Sequence, residues 1–138
     1  NDDFAPKKYS MDYLFATTML SNPLFWMEMQ FLSKKRRNEL ERIMPIWQEL
    51  KQELSSAIIT PIGQKPTGRS IAGFVVSVDN NDKYLLIFRE STNENTFVFK
   101  TKGEATLLAS NDEITLTKSN DLLEIKFKNQ RSYAFIKL

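Results

Sequence analysis

Cysteine and histidine are both absent from the 138 residues. Without cysteine there is no disulfide, no thiol nucleophile and no thiolate metal site. Without histidine the usual base at neutral pH and the commonest metal ligand are gone as well. No G-x-x-x-x-G-K-[ST] phosphate loop occurs among the four glycines. No apolar run approaches the roughly 18 residues needed to cross a membrane, and no basic-then-apolar leader opens the chain. Neither sign of charge dominates, because 19 Lys+Arg against 17 Asp+Glu leave +2, and residues 1–60 hold eight of each. A general attraction to nucleic acid or to an anionic membrane is therefore not expected. These absences leave no catalytic, cofactor-binding or metal-binding residue to nominate.

What the chain does have is a change of period near Pro61. Before it the apolar residues recur at helical spacing, and after Ile71 they alternate as in strands. Helices first and short strands last predict an α+β chain: a helical segment over residues 1–60 and an antiparallel β-sandwich over 61–138.

Ser10 is placed to cap a helix with Met11, Leu14, Phe15, Thr18 and Met19 on one face, and Asn22-Pro23 ends it. The apolar run from Leu24 to Phe31 fits either a buried strand or a buried helical turn. From Ser33 onward, Leu40, Ile43, Met44, Trp47, Leu50 and Leu54 form one broad helical stripe. Pro45 lies within it and predicts a kink or two abutting helices. The stripe is too large to stay wet, so it should pack on the apolar run around Trp26 and on the sandwich or a second copy of the chain.

Residues 60–69 contain two prolines and two glycines and read as a linker. About seven strands follow, near 71–78, 83–90, 95–101, 104–110, 113–118, 121–128 and 131–138. Turn formers such as Asp79-Asn80-Asn81-Asp82, Lys102-Gly103 and Asn129-Gln130 separate them. Alternation is clean at Phe74/Val76, Leu86/Phe88, Phe97/Phe99, Ile114/Leu116, Leu123/Ile125/Phe127 and Tyr133/Phe135.

Three features could carry a function. Lys34-Lys35-Arg36-Arg37 is the densest charge run, but acids follow at once (Glu39, Glu41, Glu49, Glu53), and the reading is a solvated helix face. The aromatics could stack on sugar rings. Yet most of those beyond residue 71 alternate with the core and both tryptophans lie in the helical part. A glycosidase needs two carboxyl groups about 5–9 Å apart, whereas Asp2, Asp3, Asp12 and Glu28 are the only N-terminal acids outside the charged helix. No acid/base pair is expected within the chain.

The segment Asp12-Tyr13-Leu14-Phe15-Ala16-Thr17-Thr18-Met19-Leu20-Ser21-Asn22-Pro23-Leu24, then Leu32-Ser33 and the helix through Ile43 and Trp47, resembles the end of a glycoside hydrolase barrel of the α-galactosidase-like group, families thirty-six and twenty-seven. The stretch Pro61 to Ser70, with Gly73-Phe74 and Tyr84-Leu85-Leu86-Ile87-Phe88-Arg89-Glu90, resembles that group's crossing into its C-terminal β-sandwich. Phe4-Ala5-Pro6 reads like the interior of a longer protein. The resemblance implies a non-catalytic C-terminal region of a retaining enzyme acting on α-linked sugars, whose catalytic acids lie on earlier barrel strands. Its partner would be the barrel of the same chain, and carbohydrate would be met only through that barrel. Pro45 departs from a continuous final helix. A carbohydrate-binding module is the alternative, marked by exposed coplanar aromatics. A third possibility is an interaction protein using Lys34 to Arg37, marked by salt-sensitive binding.

Overall fold

A computed structural model of the chain describes residues 5–21 and 32–138. The Asn22-Pro23 stop and the apolar run to Phe31 lie outside the described residues. Among the described residues three α-helices come first: α1 (Met11–Ala16), α2 (Lys34–Leu40) and α3 (Met44–Ser55). Eight strands follow: β1 (Ile58–Gly63), β2 (Ile71–Val78), β3 (Asn81–Arg89), β4 (Thr96–Lys100), β5 (Thr106–Ser110), β6 (Ile114–Ser119), β7 (Leu122–Phe127) and β8 (Ser132–Lys137). They form two antiparallel sheets, ordered β1-β2-β3-β8-β5 and β4-β7-β6. The α+β architecture expected of the sequence is present.

The helix starts follow from their caps. Ser10 Oγ accepts from the Tyr13 N–H at 3.3 Å, and Ser33 Oγ from the Arg36 N–H at 3.2 Å. Each satisfies one of the backbone donors that a first turn leaves unpaired. Pro45 resolves as two abutting helices. It stands in the first turn of α3, where a missing N–H costs nothing and a fixed φ suits the helix.

The five-stranded sheet is covered on both faces. Val76, Tyr84, Leu86, Phe88, Tyr133 and Phe135 meet the helical layer. Val75, Leu85, Ile87, Ala134 and Ile136 meet Leu123, Ile125 and Phe127 of the three-stranded sheet. The molecule is thus three layers deep, and β2, β3 and β8 carry apolar residues on both faces. Of the helical stripe, Leu40, Ile43, Trp47 and Leu54 are buried, sharing a core with Met11, Phe15 and Met19 of the N-terminal segment and with the sheet. Trp47 meets Phe15 edge-on at 5.4 Å and donates its indole N–H to the Met19 carbonyl at 3.3 Å.

One correction concerns the linker. The stretch over residues 60–69 opens inside β1, which joins the seven strands expected beyond Ile71, so the described residues hold eight. Pro61 is paired opposite Phe74 there. Because β1 is the edge of its sheet, a residue without an N–H leaves no inner ladder bond unmade. Gly63 at the end of β1 has φ +82°, and Gly68 has φ +85°. These are the positions at which the connection needs a left-handed backbone. The Asp79-Asn80 turn is also left-handed, at φ 52° and 66°, as a two-residue hairpin between β2 and β3 requires.

Candidate functional site

Three carboxylates illustrate how the fold uses its acids. Asp12, fully buried on α1, accepts from Arg42 Nε and Nη2 at 2.8 Å each and from the Tyr133 hydroxyl at 2.8 Å. Glu39 accepts from Arg36 Nη1 and from the Met11 N–H, both at 3.1 Å. Glu53 pairs with Lys83 at 2.7 Å and accepts from the Tyr84 hydroxyl at 2.9 Å. Lys83 holds the Glu53 carboxyl below its ordinary range, with the Tyr84 bond acting in the same direction. Asp2, Asp3 and Glu28 lie outside the described residues. No group of three metal-capable side chains occurs among the described residues.

Glu90 differs from these. Its Oε1 accepts from the Gly68 N–H at 3.1 Å, the Ser70 N–H at 3.2 Å and the Ser70 hydroxyl at 2.6 Å. The loop between β1 and β2 is thereby stitched to the end of β3. Backbone bonds from Glu90 N to Ser70 O at 2.9 Å and from Ser91 N to Gly68 O at 3.0 Å reinforce it. Glu90 stands at the side of a cleft of about 570 Å³ walled by Tyr13, Phe74, Phe88, Pro61 and Pro66. A largely apolar recess with a few polar groups at its edge is the usual form of a binding site. Tyr13 is buried against Phe88 at 5.3 Å with ring planes 76° apart. Burial raises the pKa of its phenol, and the Glu90 charge adds to the rise.

The other features read from the sequence are placed as follows. Lys34, Lys35 and Arg37 are exposed, as a solvated face requires, while Arg36 is half-buried and donates to the Tyr9 carbonyl at 2.7 Å. None of the described aromatics is exposed. Sequence reasoning missed Arg89, which is 7% exposed and has no carboxylate partner among the described residues. It donates to the Thr92 carbonyl at 3.2 and 2.9 Å and to the Phe127 carbonyl at 3.1 Å, tying β3 to the opposite sheet. Burial lowers its pKa, but a guanidinium remains charged.

No protein-family model, curated protein or solved structure matches this chain.

The tyrosines give a test of this packing. Burial, followed by the Glu53 hydrogen bond, pushes the Tyr84 phenol up to about 12. Tyr133 is raised by burial and by Asp12, and Tyr13 is raised too. An unfolded tyrosine ionises near about 10. Folded values above the unfolded one mean that this stabilisation is complete below about pH 10 and is lost as the pH climbs through the folded values. Absorbance at 295 nm, followed together with circular dichroism, should show three phenols ionising late and with loss of structure. All four tyrosines titrating near pH 10 in a folded chain would contradict the packing.

Proposed function

We propose that this chain is the non-catalytic C-terminal region of an α-galactosidase-like glycoside hydrolase, its helices belonging to the outside of the catalytic barrel and its sandwich bracing that barrel. The observation that carries the reading is the junction of Asp12 on α1, Arg42 between α2 and α3, and Tyr133 on β8. A brace must fix helices to sandwich in one register. A buried carboxylate satisfied by three donors does this more selectively than apolar contact, since a shifted register would strand a charge in the core. The core shared by α1, α3, β2, β3 and β8 supplies the remaining rigidity. The described acids discussed above are engaged in structural bonds, which agrees with chemistry performed elsewhere in a longer chain.

The test compares two proteins. The full-length product of the reading frame should hydrolyse aryl α-galactosides, whereas residues 1–138 alone should not. In the full-length product Tyr133→Phe should lower the temperature at which activity is lost while leaving KM unchanged, because the residue supports the barrel without touching sugar. A reading frame that encodes no barrel would overturn the proposal. So would turnover by residues 1–138 that exceeds a heat-killed control and is abolished by an acid substitution within them.

A further inference from the structure

We propose that the cleft beside Glu90 binds a small organic ammonium compound, with its apolar body against the aromatic walls and its cationic head on Glu90 and the Tyr13 hydroxyl. The cleft, about 570 Å³, has the size that takes a small organic molecule. Tyr13 on α1, Phe74 on β2 and Phe88 on β3 bring three rings to it from three elements, and Pro61 of β1 adds a further apolar surface. The site goes beyond the bracing role and does not depend on it.

Two observations point to a ligand. The first is the phenol of Tyr13, a residue only 5% exposed whose hydroxyl has no hydrogen-bond partner among the described residues. A hydroxyl taken out of water and left unpaired lowers stability. The fully enclosed polar side-chain atoms without a partner among the described residues are Ser91 Oγ and Arg131 Nε, so the Tyr13 hydroxyl is not sealed in and opens on the cleft that Tyr13 lines. By contrast, the buried hydroxyls of Tyr84 and Tyr133 each have a carboxylate partner, Glu53 and Asp12.

The second is the charge of Glu90. Asp12, Glu39 and Glu53 each pair with an arginine or a lysine. Glu90 accepts only from Gly68 and Ser70, which are uncharged, and it has no cationic partner among the described residues. All three of those bonds end on Oε1, which leaves Oε2 to accept. Lys65, the one cation lining the cleft, is exposed to water. The Glu90 charge acts on the Tyr13 phenol and helps to keep it protonated, so the two groups are neighbours.

The ligand class follows from what these groups leave open. Thr17 and Gln64, the uncharged polar side chains of the lining, are already engaged, Thr17 with the Leu14 carbonyl and Gln64 with Glu94 and the Ile71 N–H. Open polar capacity is thus confined to Glu90 and Tyr13, which suits a molecule with one polar head over a polyhydroxylated one. An ammonium group carries donors and no acceptor, and it can reach a carboxylate oxygen and a phenol oxygen together. Aromatic walls add attraction for a cation, and Glu90 repels an anion.

The test is calorimetric titration of residues 1–138 with phenethylamine, compared with the neutral phenethyl alcohol and the anionic phenylpropionate. Expected are one saturable site and an amine bound about tenfold or more tighter than the alcohol, with the anion weaker still. Glu90→Gln keeps an acceptor for Gly68 and Ser70 and should weaken the amine about tenfold while changing the alcohol by less than about twofold. Glu124→Gln, the same charge change on an exposed position of β7, should alter amine binding by less than about twofold. Should Glu90→Gln fail to fold, Tyr13→Phe reads the same head group: amine binding should weaken about threefold or more with no fall in melting temperature, because no bond within the chain is lost. Absence of saturable binding at millimolar concentrations would overturn the proposal, as would an alcohol or anion bound as tightly as the amine. Equal weakening by Glu90→Gln and Glu124→Gln would reduce it to general electrostatics and overturn it as a site. A lower melting temperature in Tyr13→Phe would show that the chain itself satisfies the hydroxyl, and would overturn it too.

Discussion

Gly73→Ala should destabilise the chain by about 3 kcal/mol or more, enough to halve or abolish the folding stability of an ordinary small domain. Gly73 lies in β2, opposite Ile62 on β1 and Ile87 on β3. A β-carbon there would stand 2.1 Å from the Leu86 carbonyl oxygen and 2.8 Å from the Ile87 α-carbon, both backbone atoms. No side chain can swing aside to relieve such contacts. β3 cannot retreat either, because β8 holds its other edge and apolar layers cover both its faces. Gly103→Ala is the matched control, since nothing lies within 4 Å of the position its β-carbon would take. It should be neutral or stabilise slightly through the unfolded chain. Urea midpoints of the two variants measure the contrast, and equal midpoints would show that β2 and β3 are not in this register.

Asp12→Ala should cost about 2–4 kcal/mol. The loss strands the Tyr133 hydroxyl, which is fully buried with Asp12 as its partner. Arg42 is 41% exposed and can turn to water, which keeps the expected cost below that of a wholly enclosed pair. Tyr133→Phe removes one hydrogen bond to a charged acceptor and should cost about 1.5–3 kcal/mol. The double variant should be less destabilised than the sum of the two by about 1 kcal/mol, as expected for residues in contact. Strict additivity in denaturant unfolding would mean that the bond between them contributes nothing.

Local signals were legible where a residue and its consequence lie close together. The cap Ser10, the helical pattern from Ser33 onward, the break at Pro45 and the strands beyond Ile71 all depend on neighbours within a few positions. β1 was obscured because its Pro61 and Gly63 are turn formers by type, and only its place at a sheet edge makes them tolerable. The second apolar face of the central strands was under-read because alternation identifies one covered face, whereas helices and the smaller sheet cover both. The candidate sites were less legible still. Glu90 binds a loop some twenty residues away and Arg89 reaches Phe127, so no short window shows either partner. Lys34 to Arg37 was visible as a run, but the bond from Arg36 to the Tyr9 carbonyl was not.

The hydroxyl of Tyr133 and the carboxylate of Asp12 are 121 positions apart in the chain. On the ribosome the first helix is made well before β8, and its acceptor stays unanswered until β8 has been synthesised. β8 also separates β3 from β5, so the five-stranded sheet cannot close before it arrives. Until then Leu40, Ile43 and Trp47 have only part of their covering, which exposes this stretch of the nascent chain to chaperones and proteases over that interval. A stop codon before Ser132 would therefore remove the element on which the helices, β3 and β5 depend, and what remained would be cleared as unfolded chain and not kept as a smaller domain.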